Sequence, residues 1–161
     1  MLLGHAAKVR HIRTVRPVDK STLAIDFRWR GHGTVEADAG TIRFEDAPRL
    51  PRLYRIDLDE HHRYIGEARS LAGRFGGYRN PGGSANTLVP RTNRRVQRKI
   101  LEALAAGRSV PVWLCTEAEV TLGRATTALS LDNRTHRLLI ESAAIVLGAQ
   151  DGCTLENLAR R

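Results

Sequence analysis

Three tyrosines, an arginine and a glutamate are the residues of this chain whose types and positions could do chemistry together. Tyr54 and Tyr64 stand ten positions apart, Arg74 follows ten later, and Tyr78 comes one helical turn beyond that arginine. Phenol hydroxyls both donate and accept hydrogen bonds, and a guanidinium is a cation suited to phosphate or carboxylate oxygens. Glu141 lies much further on, in RLLIESAAI, flanked by Leu139, Ile140, Ala143 and Ala144. A carboxylate in such company is costly to bury unpaired, so it points to water or meets a cation. The composition suggests the partner. Against 17 Asp and Glu the 161 residues carry 26 Lys and Arg, a formal charge of +9, which makes nucleic acid or an anionic membrane surface the first partner to consider. The same tyrosines also read as core residues with satisfied hydroxyls, or as platforms on which bases stack.

The elements that must position these groups are legible around them. In RLYRIDLD, Leu53, Arg55 and Asp57 alternate with Tyr54, Ile56 and Leu58, the period of a strand. Asp59, Glu60 and His61 read as a turn, and Arg63-Tyr64-Ile65-Gly66 as a second strand, which together predict an antiparallel hairpin. Gly66 would let the backbone come close to something there. From Ser70 onward Leu71, Arg74, Phe75 and Tyr78 fall at helical spacing. A loop at 80–84 precedes a helix predicted from the Thr92 cap to about Ala106, with Gly107 as its stop. Val96, Ile100 and Leu104 line one side of that helix, and Arg91, Arg94, Arg95 and Arg98 form a stripe on the other, beside Lys99. The stripe is either a phosphate-contacting face or a solvated one. VPVWLC at 110–115 predicts a strand, at an edge because of Pro111. Residues 116–130 are ambiguous, and Asp132 begins a helix through about Leu147, ended by Gly148.

The quoted hairpin and helix resemble the GIY-YIG nuclease domain. Its two strand motifs stand here as Arg52-Leu53-Tyr54 and Tyr64-Ile65-Gly66, its helix arginine as Arg74, and its following tyrosine or histidine as Tyr78. Arg52 replaces a glycine of the first motif, and Glu67 stands where some members carry lysine. The resemblance implies that Glu141 holds a divalent metal, Mg²⁺ or Mn²⁺, and it matches Asn157 to the family's terminal asparagine, counted with the arginine stripe among the nucleic-acid contacts. It implies an α/β domain over residues 49–161, a small mixed three-stranded sheet flanked by helices, after a basic, partly β extension at 1–48. The implied activity is metal-dependent hydrolysis of DNA phosphodiesters, with RNA still open as substrate. Arg74 would donate to the non-bridging oxygens and Tyr54 would act as general base, its pKa near ~10 either depressed by neighbouring cations or bypassed by working through a bound water or hydroxide. A double-strand break would favour a homodimer or two successive nicks. The rival reading is an inert nucleic-acid-binding protein on the same fold.

The remaining features narrow the class. Cys115 and Cys153 are too few and too far apart for a disulfide scaffold, which points to a reducing cytoplasm. No apolar run approaches the ~20 residues of a membrane span. His61 and His62 invite a zinc reading, but zinc wants three or four clustered ligands and none is near in sequence. Residues 1–16 interleave Lys8, Arg10, His11, Arg13 and Arg16 with apolar residues as a short helix or a basic arm. Leu23, Ile25, Phe27 and Trp29 alternate as a strand, Gly31-His32-Gly33 reads as a turn, and further strands are expected on either side of Gly40.

Overall fold

The structure is a computed structural model that describes residues 23–82 and 88–157, the side chains of 88 and 89 excepted. The basic stretch at 1–16 lies outside the described residues. Ten elements follow in order: β1 Leu23–Asp38, β2 Thr41–Arg43, β3 Arg52–Asp57, β4 His62–Ala68, α1 Leu71–Arg79, α2 Leu88–Ala105, β5 Val110–Leu122, β6 Ala125–Ala128, α3 Arg134–Gln150 and β7 Thr154–Leu155. They form an α/β structure around one mixed sheet in the order β2-β1-β5-β3-β4-β7, with β6 added to the far end of β5. All pairs are antiparallel except β4 with β7.

The sheet therefore has seven strands, not three. The four that the expected core lacked are β1, β2, β6 and β7. Twelve residue pairs join β1 to β5, from Leu23 opposite Leu122 to Val35 opposite Val110, so the sheet runs across the boundary expected near Pro48. Gly31-His32-Gly33 is no turn. The register shifts between Gly31 and Gly33, and Gly33 takes a φ of 120°, so one extra residue bulges out of a continuous strand. The turn lies further on, where Ala39 and Gly40 both have positive φ and join β1 to β2. Nor is β5 at an edge, since it lies between β1 and β3. Pro111 is tolerated as its second residue, beyond Val112, where pairing with β3 has ended.

Two apolar layers sandwich the sheet. On one face Tyr54, Ile56, Tyr64, Val110, Val112, Val35, Ile42 and Phe44 pack under α1 and α2, which contribute Leu71, Phe75, Tyr78, Val96 and Ile100. The opposite face buries Leu53, Ile65, Cys115 and Leu155 against Ile140 and Ala144 of α3. The alternation in β3 and β4 thus divides residues between two cores rather than between core and water. α1 begins where expected, with the Ser70 hydroxyl accepting from the Gly73 N–H. α2 begins four residues before Thr92 and admits Pro90 in its first turn, where no helical N–H partner is lost. Gly107, at φ 73°, ends it as expected. α3 is capped by Asn133 and not Asp132, and runs past Gly148. That glycine is buried beneath Leu155, where a Cβ would come within 3.3 Å of the leucine side chain. Among the described residues no helix is long and apolar enough to cross a membrane.

A chain beginning at Arg49 lacks β1 and β2 and with them Val35, Ile42 and Phe44 of the core. It should show no cooperative thermal transition by circular dichroism. A sharp transition near that of the full chain would mean that β1 is an accessory to a self-sufficient sheet.

Candidate active site

Tyr54 and Gly66 face each other in the β3–β4 register. A Cβ on Gly66 would lie 2.5 Å from the Tyr54 hydroxyl and 2.7 Å from Cζ, so the tyrosine ring rests on bare main chain. This is the close approach anticipated for the glycine. From there the Tyr54 hydroxyl meets that of Tyr78 at 2.6 Å. Tyr64 completes the group, its ring centroid 6.2 Å from both other rings. Phe75, one turn before Tyr78, stacks on Phe44 at 4.1 Å and holds α1 against the sheet. Three strand or helix positions far apart in sequence thus become one hydroxyl cluster.

Arg74, one turn before Tyr78, is half-buried beside this cluster. Burial works against its charge, yet Tyr54, Tyr78, Tyr64 and Glu67 lie close enough to raise its pKa on balance. Glu141 arrives from the opposite layer. Asn157 shows how. Its Oδ1 accepts from the Ile65 N–H at 2.9 Å and its amide donates back to the Ile65 carbonyl, so Ile65 points its N–H to the outer edge of β4. In an extended strand the residue two further on points the same way, and the Glu67 N–H is accordingly a partner of the Glu141 carboxylate. Burial and the nearby Glu67 carboxylate raise the Glu141 pKa, while the Glu67 N–H and Arg74 pull it down with less effect. All five expected catalytic residues therefore converge.

Two expectations need correction. Tyr54 is fully buried, and burial together with Tyr78 and Tyr64 pushes its pKa well above 10, overwhelming the opposing pull of Arg74. A free phenolate base is thus disfavoured, so of the two routes expected for Tyr54 the depressed pKa is the one corrected. Tyr78 shifts the same way, chiefly through burial. Asn157, in turn, spends both ends of its amide on Ile65 and extends the β7 ladder; it fixes β4 instead of facing a ligand.

Glu67 has a partner that sequence reasoning missed. Arg137, only 3% exposed, donates to Glu67 at 3.1 Å and to the carbonyls of Leu131 and Asp132 at 2.7 and 3.1 Å. Glu141 lies one turn after Arg137, so this pair also sets where Glu141 falls. Its only sequence signal was an arginine four positions before the glutamate.

The arginine stripe has more acid around it than its local sequence suggests. Arg98 and Lys99 each approach Glu102 at 3.6 Å, and Lys99 also reaches Glu156 at 3.9 Å. The two pairs with Glu102 are solvent-exposed and worth little, whereas Glu156 is buried where Lys99 reaches it. Arg91, Arg94 and Arg98 are exposed, whereas Arg95 and Lys99 border Tyr64 in a crevice closed by Leu58 and Glu156. The His61-His62 turn lines a separate cavity of about 660 Å³ with Asp59 and Arg108. There Asp59 accepts from the ring of His62 and the N–H groups of His61 and His62, which hold its carboxyl at about 2 despite the opposing effect of burial. No group of three or more metal-ligating side chains occurs among the described residues. Compared with models of known families, with curated proteins and with solved structures, the chain finds no match.

Gly66→Ala should cost ~1–3 kcal/mol in urea unfolding, because the new methyl must displace the Tyr54 ring; an unchanged midpoint would show that the ring moves freely. The raised pKa of Glu141 sets a second test. Its neutral form is favoured in the fold, so ionisation costs stability as pH rises through the folded pKa, and the cost is absent below the ordinary value of 4.5. In metal-free buffer Glu141→Gln should accordingly be more stable than the parent at pH 8, with the difference vanishing below pH 4.5. Equal stability at both pH values would place the carboxylate in free solvent.

Proposed function

We propose that the chain is a GIY-YIG-type endonuclease that hydrolyses DNA phosphodiesters with the help of a divalent metal. The observation that carries this reading is the convergence of Tyr54, Tyr64, Tyr78, Arg74 and Glu141 from two strands and two helices into one cluster, its tyrosines buried and its arginine and glutamate half-buried. Packing alone accounts for three tyrosines. It does not account for an arginine and a desolvated glutamate beside them on an otherwise basic protein.

The donor set fits Mg²⁺ bound in company with substrate. Glu141 is a half-buried carboxylate whose charge is penalised by its surroundings, and magnesium is commonly held by one or two carboxylates together with phosphate oxygens and water. Held there, the ion would supply positive charge against the phosphate and the departing 3′ oxygen. Arg74 donates to a non-bridging oxygen, where charge grows in the transition state. Tyr64 orients the attacking water through a hydroxyl held by Tyr78, which is itself held by Tyr54. The buried pair thereby acts by position, since neither phenol readily gives up its proton. Arg137 keeps Glu67 turned toward α3 and holds Glu141 in register. The exposed arginines of α2 supply the backbone contacts that bring duplex to the cluster.

The burial of Tyr54 and Tyr78 favours one alternative, a binding module on this fold without catalysis. Nicking of supercoiled plasmid separates the two. The parent should nick with Mg²⁺ or Mn²⁺ and not with EDTA. Glu141→Gln should abolish the activity while duplex binding at fixed salt holds, and Arg74→Ala should lower it about a hundredfold or more. The double variant should be little worse than Glu141→Gln, because both groups serve one transition state. Tight duplex binding without nicking under any divalent metal would leave the binding module.

A further inference from the structure

α3 lacks the charged and polar side that a surface helix turns to water. After Arg134 its eight exposed residues are all uncharged, and four of them are the large aliphatic side chains Leu138, Leu139, Val146 and Leu147, from 37% to 56% exposed. α2 is the contrast, since it exposes Arg91, Arg94, Arg98 and Glu102. Between Leu138 and Leu147 the one exposed polar side chain is Ser142, and its hydroxyl donates to the Leu138 carbonyl at 2.8 Å within the same helix. Covering the face therefore strands no donor there.

The pattern along this face reads alike in both directions. Ser142 stands at the middle, Leu139 lies three residues before it and Val146 four after, and Thr135 and Gln150 close the two ends. A second α3 laid antiparallel on the first and crossing at Ser142 puts each Leu139 against Val146 of the other copy and each Thr135 against Gln150. Apolar meets apolar and polar meets polar, the self-complementarity that a two-fold contact demands. The small side chain at the crossing lets the helices approach, and their dipoles run in opposition. Charge points to the same occupant. A duplex finds no cation on this face, and a chain of +9 repels its copies over most of its surface. α3 lies across the sheet from α2, so a contact through α3 keeps the α2 arginines of the two copies apart.

We propose that the outer face of α3 is a homodimer interface, on which a second copy of this chain packs antiparallel about a two-fold axis at Ser142. One helix from each subunit makes a small contact, so the dimer is reversible. Its consequence for cleavage rests on the nuclease reading. Glu141 adjoins Ser142, and a two-fold perpendicular to the paired helices leaves their corresponding flanks on one side. Both Glu141 carboxylates then lie beside the axis on the same side of the dimer, where a single duplex offers one strand to each.

Sedimentation equilibrium of the full chain without DNA should show a concentration-dependent dimer. Val146→Glu, at a side chain 56% exposed in the single chain, should weaken it about a hundredfold or more by burying an unpaired charge, with the thermal unfolding of the monomer unchanged. Independently, oxidised Ser142→Cys should run as a covalent dimer on a non-reducing gel and Arg98→Cys on α2 should not, the native Cys115 and Cys153 being buried. A dimer indifferent to Val146→Glu overturns the interface. So does a parent that stays monomeric, whether Val146→Glu then lowers its melting temperature, which assigns the face to another part of the chain, or the parent floats with vesicles of acidic phospholipid, which assigns it to a membrane. In Mg²⁺ the parent should convert supercoiled plasmid directly to linear DNA, where Val146→Glu accumulates nicked circles. Nicked circles accumulating equally from both overturn the placement of two sites on one duplex. A dimer lost in Val146→Glu with no cleavage by either chain supports the interface while the nuclease reading fails, and nicking by a monomeric parent does the reverse.

Discussion

The contact between the Tyr54 ring and the bare main chain of Gly66 is the constraint from which the site is built. Any side chain at 66 would occupy the space of the ring, and any shift of the ring would move its hydroxyl away from Tyr78. The 2.6 Å hydroxyl contact in turn fixes the depth at which α1 sits on the sheet. Arg74, one turn earlier on that helix, is positioned as a consequence. A single cross-strand pair thus transmits its geometry from β4 through β3 to a helix that neither strand adjoins in the hydrogen-bonded ladder.

The site occupies the edge of the sheet, and this explains how residues from its two faces can meet. β7 covers only the start of β4, at His62 and Arg63, and Asn157 covers Ile65. Beyond that clamp the outward N–H of Glu67 is left to the carboxylate of Glu141, which comes from the layer beneath. α1 covers the same strand from above. The tyrosines therefore belong to one core, Glu141 to the packing of the other, and β4 is the strand they share.

Local order was readable because its causes are local. Alternation in RLYRIDLD, the helical spacing from Ser70 onward and the four-residue step from Arg74 to Tyr78 each depend on neighbours a few positions away, and the hairpin and α1 stand where these signals put them. The extent of the sheet was hidden because β1 finds β5 some eighty residues later, and a bulge at His32 looked like the end of a strand. Pro111 misled for a related reason: its cost depends on where the neighbouring strand stops, which composition does not record. Gly148 likewise imitated a helix end while serving the packing of Leu155. The protonation of Tyr54 was beyond pattern reading altogether. Whether a cation or burial prevails depends on how completely α1 and the sheet exclude water, and here burial prevails.

The charges around the cluster bear on how a metal and a phosphate would enter it. Arg137 is committed to Glu67 and two main-chain carbonyls, which leaves Arg74 and Glu141 as the opposed charges facing the open side. A phosphate arriving alone meets Arg74 but is repelled by the Glu141 carboxylate. A divalent cation arriving alone meets Glu141 but is repelled by Arg74. Arriving together, each offsets the repulsion met by the other, so the proposed chemistry requires that metal and substrate bind with positive coupling. By linkage the coupling is reciprocal. On this proposal metal binding in the absence of DNA should be weak, since one carboxylate would rely on the substrate for the remaining ligands.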